Sequence, residues 1–171
     1  MFSFIKSLFV TNEDKKKGQG FLDSGNYSDA AAHFKAALEK SPDDSGMLLN
    51  ISQALFELKN YEEAVPYLKT AAAKASSINP VPAIMLGFAL YKLDRLDEAG
   101  EALKTALKID SKHPAAHYYT GLLNLKRGNV DSATDSFEEV ISEKPTFIQA
   151  RLLAIGEMYI IESERKKKAQ Q

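Results

Sequence analysis

The side chains able to do covalent or metal chemistry are few. There are three histidines and no cysteine in the 171 residues. His113 and His117 stand four apart, the spacing of two metal ligands on one helical face. Pro114 lies between them and favours a helix that begins after His113, so the two are not expected to share a face, and no acidic third ligand stands near. His33 is expected on a surface or a packing seam. Glu62-Glu63 and Glu138-Glu139 are adjacent pairs, and neighbours on a helix diverge, so neither makes a carboxylate dyad. No phosphate-binding loop, nucleophile elbow or HExxH motif occurs. The absent cysteine removes disulfides, thiolate metal sites and thiol nucleophiles. The chain is therefore not expected to be an enzyme, and no cofactor or metal is expected. A net charge of -1 and a pI of about 6.3 lack the basic excess of a nucleic-acid binder.

What remains is surface for binding, and the elements that present it follow from a repeat. Ala30, Ala64, Ala99 and Ala133 recur at intervals of 34, 35 and 34 residues. Each is preceded by similar text: Gly25-Asn26-Tyr27-Ser28-Asp29, Lys59-Asn60-Tyr61-Glu62-Glu63, Asp94-Arg95-Leu96-Asp97-Glu98 and Gly128-Asn129-Val130-Asp131-Ser132. Four places after each alanine comes Phe34, Leu68, Leu103 or Phe137, and three further Ala37, Ala71, Ala106 or Val140. A period in this range marks one supersecondary unit stacked on copies of itself. The repeats are placed at 11–44, 45–78, 80–113 and 114–147, with Asn79 as a one-residue insertion. The second helix of the first repeat is expected from Tyr27 to about Lys40, and Ser41-Pro42-Asp43-Asp44 ends it and offers caps for the next. Leu48, Ile51 and Leu55 share a face of the following helix. Asn60 suits an N-cap, Pro66 a mild kink, and Pro80 and Pro82 a helix start. Leu86, Gly87 and Leu90 face a packing seam. From Phe147, the residues Ile148, Leu152, Ile155 and Tyr159 recur at helical spacing, and the basic run Lys166–Lys168 follows. Residues 148–171 thus read as a terminal capping helix with a basic tail.

These residues resemble the tetratricopeptide repeat family. The family has small residues at the eighth and twentieth places, here Gly18, Ser52, Gly87 and Gly121 and then the alanine series. Larger residues at the seventeenth and twenty-fourth, Tyr27, Tyr61, Leu96 and Val130 and then the Phe34 series, are expected to fill the space between units. Proline at the thirty-second place ends the second helix in Pro42 and Pro145, with Ser76 and Ser111 in its stead elsewhere. The resemblance covers residues 11–147 and implies an all-α, right-handed α-α superhelix (solenoid) of four helix pairs plus the capping helix. Asp14 and Lys17 stand where apolar residues belong, so the first helix is expected to be poorly anchored. His117, Thr120 and Asn124 predict a more polar seam in the fourth repeat. The pentatricopeptide repeat, which reads single-stranded RNA, is a neighbouring possibility that the charge and the mainly 34-residue spacing oppose.

The resemblance also implies a groove lined by the first helix of each pair. Carried over by position, its lining includes Leu49, Asn50, Gln53 and Phe56 from the second repeat, Val81, Ile84, Met85, Phe88 and Tyr91 from the third, and Tyr118, Tyr119 and Leu122 from the fourth. For Ile84 and Leu125, packing between adjacent first helices is an equal alternative. One branch of the family clamps C-terminal carboxylates with asparagines and basic residues. Here Lys15 and Asn50 match that pattern, but Gln19, Val81 and Met85 replace the rest, so the clamp is not expected. The expected function is a non-catalytic scaffold binding an apolar or amphipathic protein segment. The alternatives are a membrane-associated assembly factor and, further off, an RNA-binding repeat.

Residues 1–10, Met-Phe-Ser-Phe-Ile-Lys-Ser-Leu-Phe-Val, read as a short amphipathic helix, with Thr11–Lys17 as a linker or the first turns of a helix. Three destinations are open for the segment: a cover over the first repeat, an apolar groove of its own chain or of a neighbouring copy (hence a homo-oligomer), or a membrane surface. The expected location is cytoplasmic, peripheral to a membrane if the third holds. No apolar run reaches the roughly 20 residues of a membrane span.

Overall fold

The structure, a computed structural model, describes residues 2–75, 78–142 and 148–169, with side chains from residue 12 onward. Every regular element among them is an α-helix. The chain divides into two compact units, Met1–Ser76 and Ser77–Gln171.

The first unit holds α1 (Phe2–Asp23), α2 (Tyr27–Lys40), α3 (Ser45–Glu57) and α4 (Tyr61–Lys74). Each helix packs on the next in sequence. The second holds α5 (Val81–Lys92), α6 (Leu96–Ile109), α7 (Pro114–Lys126), α8 (Val130–Ser142) and α9 (Ile148–Ala169). There α5 packs with α6 and α7 with α8, and α9 packs on both α7 and α8.

The four turns inside the pairs share one geometry. Gly25, Lys59, Asp94 and Gly128 have φ of 77°, 58°, 62° and 79°. In each, the left-handed residue's N–H and the next N–H reach back to the last carbonyls of the preceding helix. Lys59 N–H donates to Phe56 O at 2.8 Å and Asn60 N–H to Leu55 O at 2.8 Å, and Gly128 and Asn129 repeat the pattern onto Leu125 and Asn124. This six-to-one and five-to-two closure satisfies carbonyls that a helix end leaves open. Glycine meets the left-handed requirement without steric cost; Lys59 and Asp94 meet it at a cost. Asp44 caps α3 by accepting from Met47 N–H at 3.0 Å. Asn60 occupies the N-cap of α4, but its amide donates to Glu63 at 2.6 Å instead of accepting a helical N–H. Pro66 lies within α4 and Pro80 and Pro82 open α5. The inserted Asn79 accepts from Val81 N–H at 3.1 Å, closing a small turn at the entry to α5.

The small eighth-place residues face the large twenty-fourth-place ones within a pair. A Cβ added at Gly18 would stand 2.9 Å from Phe34, at Gly87 2.7 Å from Leu103 and at Gly121 2.4 Å from Phe137. Phe34, Leu68, Leu103 and Phe137 are all fully buried. Phe34, Leu103 and Phe137 thus each sit against the glycine backbone of their own partner helix, and the two helices of those pairs lie close. Ser52, at the same place in the second pair, is fully buried and turns its hydroxyl onto Leu48 O at 2.6 Å.

Two expectations concern the first helix. Residues 2–23 form one helix, so of the two readings of Thr11–Lys17 it is helical turns and not a linker, and residues 2–10 continue into the same helix. The side chains of residues 2–11 lie outside the described residues, as do Ser76, Pro145 and Phe147. The first helix is not poorly anchored: Asp14 accepts from Lys40 at 3.0 Å and lies 3.4 Å from His33 Nδ1, and Phe21 stacks on the His33 ring at 5.3 Å. Polar pairs on α1 and α2 stand where an apolar seam was absent. The Lys40 hydrogen bond holds the Asp14 carboxyl below its ordinary range against burial, with His33 adding to it.

Candidate functional site

The residues expected to line a groove divide between the two units. In the first, Leu49, Asn50 and Phe56 are half-buried and Gln53 is exposed on α3. Asn50 donates to Gln19 Oε1 at 3.1 Å, and Lys15 pairs with Asp44 at 3.0 Å. Phe56 meets Tyr61 edge to face at 5.3 Å. The two residues that match a carboxylate clamp are thus engaged with the chain's own side chains.

The second unit brings more of the set together. Phe88 on α5 and Tyr119 on α7 have ring centroids 4.8 Å apart. Tyr119 meets Tyr118 at 5.5 Å, and Tyr118 meets the buried Phe137 at 5.9 Å. Two ammonium groups border this row. Lys92 Nζ stands 5.2 Å from the Phe88 ring and 5.9 Å from Tyr91, and Lys126 Nζ stands 5.0 Å from Tyr91. Lys126 also pairs with Asp94 at 2.8 Å. The heptad-like spacing of α5 places Phe88, Tyr91 and Lys92 on one face, and α7 packs beside it. The rings are half-buried, so each keeps an open edge or face. Such a strip can take apolar or aromatic side chains by offset stacking, with ammonium groups placed for acidic neighbours.

Not every expected residue belongs to this strip. Ile84 is 5% exposed and is a packed residue, while Met85 beside it is half-buried and Val81 lies exposed at the start of α5. Tyr118, Leu122 and Leu125 pack against a core of Ala133, Phe137, Val140, Ala154 and Ile161, which α9 completes. Their inner sides are therefore occupied. Burial, then the carboxylate charge of Glu157 on α9, raises the Tyr118 phenol above its ordinary range and keeps it neutral.

The histidine pair behaves differently from a ligand pair. His113 precedes α7 as its N-cap, and burial lowers its imidazole below the ordinary value. His117 Nε2 contacts Ser111 O at 2.8 Å. Thr120 bonds Ala116 O at 2.7 Å, so the polar residues of α7 largely satisfy themselves locally.

Two features lay outside the sequence reading. An open cleft of about 440 Å³ lies between α6 and α7, floored by Leu103 and Leu123 and edged by Lys104, Lys108 and Arg127. Arg127 is held there by Asp97 at 2.7 Å and Leu96 O at 2.9 Å. The other is the outer face of α9, where Leu152, Leu153, Tyr159 and Ile160 stand exposed. The apolar spacing Ile148, Leu152, Ile155 and Tyr159 read from the sequence lies on this open side, while Ala154 and Ile161 are the residues α9 buries, because which side of the capping helix packs is set by where α7 and α8 lie. No helix among the described residues is long and apolar enough to cross a membrane.

Comparison with known proteins agrees with this architecture. Three family profiles, each described as Tetratricopeptide repeat, match residues 15–78, 59–123 and 115–146. A TPR repeat-containing protein of Methanocaldococcus jannaschii is 39% identical over 71 residues, covering 41% of this chain and 12% of that protein. The Protein CTR9 homolog of Arabidopsis thaliana is 26% identical over 129 residues, covering 71% of this chain. The chain spans 12% of the length of each of these two relatives. Among solved structures, MamA superposes with a TM-score of 0.75 at 23% identity, covering 94% of both chains. YrrB, described as a TPR protein with an unusual peptide-binding site, superposes with a TM-score of 0.70 at 22% identity over 78% of this chain and 68% of its own. At these identities the structural likeness shows the fold.

Proposed function

The chain belongs to the tetratricopeptide repeat family, and from that premise we propose that it is a non-catalytic protein-interaction scaffold whose binding face is the aromatic strip of the second unit. The observation that carries this reading is the row Phe88–Tyr119–Tyr118, half-open and bordered by Lys92 and Lys126. Isolated exposed rings are ordinary, but a contiguous row beside cations is the composition of a binding hot spot. The ligand is a protein segment with apolar or aromatic anchors at helical spacing and an acidic residue near one end. That YrrB is described by its peptide-binding site supports a peptide ligand here by analogy of fold. Val81 and Met85 extend the strip on α5, and Leu49, Asn50, Gln53 and Phe56 form the corresponding surface of the first unit. Residues 1–10 are a second candidate surface for self-association. Because α1 is one helix from Phe2 to Asp23, a neighbouring molecule is a simpler destination for that segment than the chain's own face.

Selection from a displayed peptide library tests the reading. Recovered peptides are expected to carry apolar anchors spaced three or four apart. Phe88→Glu with Tyr119→Glu should abolish their binding with an unchanged circular dichroism spectrum. Undiminished binding by the folded double variant would move the site elsewhere.

A further inference from the structure

Helix α9 carries a core face and a second apolar face that no described residue covers. Ala154 and Ile161 point into the second unit and are buried. On the other side Ile148, Leu152, Leu153, Ile155, Tyr159 and Ile160 are 46 to 75% exposed. At roughly 200 Å² for a fully exposed large side chain, Leu152, Leu153, Tyr159 and Ile160 together present about 500 Å² of surface on one stripe of the helix, with Ile148 and Ile155 at its edge. That is at the upper end of an ordinary monomer's largest apolar patch and more than half of the about 800 Å² that each partner contributes to a standard stable interface.

The order of residues on this face has a symmetry of its own. Gly156 stands at its centre. Leu153 and Tyr159 lie three residues to either side, Leu152 and Ile160 four, and Gln149 and Ser163 seven. At 100° per residue these positions form one stripe centred on Gly156. A two-fold axis through Gly156, perpendicular to the helix, sets Leu153 of one copy against Tyr159 of the other and Leu152 against Ile160. Gln149 then meets Ser163, polar against polar. A Cβ built on Gly156 meets nothing within 4 Å in the chain itself, so no intramolecular contact requires a glycine there, whereas two helices crossing at that point approach most closely without a side chain. Charge selects the direction. Parallel pairing would place Lys166–Lys168 against the same three lysines of the second copy, whereas antiparallel pairing sets the two runs at opposite ends.

We propose that the exposed face of α9 is a self-complementary interface through which two copies of this chain pair antiparallel about Gly156. This is an isologous contact, the same patch on both partners. It stands apart from the peptide-binding reading, because it uses neither Phe88 nor Tyr119.

Sedimentation velocity and light scattering on the full chain test it. The wild type is expected at twice the 18.9 kDa chain mass. Leu153→Glu with Ile160→Glu, both at exposed positions, should return it to 18.9 kDa with unchanged helicity. A monomeric wild type at about 100 μM, well above the micromolar or tighter Kd of standard interfaces, would overturn the proposal. So would a dimer that survives the double variant, which would place association at another surface such as residues 1–10. Geometry is read separately, since the chain has no cysteine. Gly156→Cys should cross-link two copies by disulfide. Ile148→Cys should not, because eight residues at 1.5 Å each separate it from the axis and put the two sulfur-bearing residues about 24 Å apart, beyond disulfide reach. Cross-linking at both positions would refute the antiparallel arrangement.

Discussion

Replacing Gly121 by alanine sets two effects of opposite sign against each other. Gly121 lies inside α7, where alanine is favoured over glycine by about 1 kcal/mol through backbone entropy. The new methyl would stand 2.4, 2.7 and 2.8 Å from three atoms of the Phe137 ring. Contacts below 3.0 Å force movement, and this ring has nowhere to go: it is 0% exposed and boxed by Ala133, Val140, Ala154 and Ile161. Overpacking of this kind costs about 1–3 kcal/mol, so set against the helix-propensity gain the net expectation is a loss of up to about 2 kcal/mol. The three pairs should rank by closeness, with Gly121→Ala costlier than Gly87→Ala and Gly18→Ala the mildest, following 2.4, 2.7 and 2.9 Å. Gly20 supplies the control, since a Cβ there meets nothing within 4 Å and Gly20→Ala should stabilise by propensity alone. Urea denaturation followed by helical circular dichroism measures each midpoint; an unchanged slope assigns the shift to stability. If Gly121→Ala stabilises as much as Gly20→Ala, close approach of α7 and α8 is not what the glycine serves. Gly121→Ser combined with Phe137→Leu reproduces the Ser52–Leu68 pairing of α3 and α4 and should cost less than the two single changes added together.

Three other outcomes follow from the same structure. Lys59→Gly should raise stability by up to about 1 kcal/mol in the same urea assay, because Lys59 holds a φ of 58° that glycine adopts freely. Asp14 has a carboxyl held below its ordinary range by Lys40, so its contribution is present above the carboxylate range and is lost as pH falls through the folded-state value. Asp14→Asn should therefore lower stability at neutral pH and flatten the acid limb of a midpoint-against-pH curve. On the proposed binding face, Lys92→Glu should weaken peptides that carry an acidic residue beside their anchors more than neutral ones, as read by fluorescence anisotropy at low salt.

The amino-acid sequence by itself determined the repeat and the helices. Its period places alanines, turn residues and large apolar residues in step, and local backbone chemistry converts these into helix bounds: α2 runs from Tyr27 to Lys40, as read from the Gly25-Asn26 turn and the Ser41-Pro42 stop. The same local signals place Asp44 as a cap and Pro80 and Pro82 at a helix start, because capping and φ restriction act over a few residues. Which face of each first helix stays open was decided only by the tertiary structure. Ile84 and Met85 are adjacent and both apolar, yet Ile84 is buried and Met85 half-open. Tyr118 and Tyr119 are both half-buried, yet only Tyr118 packs against the core that α9 completes. Asp14 looked like a defect in an apolar seam until folding placed Lys40 and His33 beside it. Spacing along the chain states which residues share a side of a helix. What lies against that side depends on where other helices pack, and no local pattern carries that information.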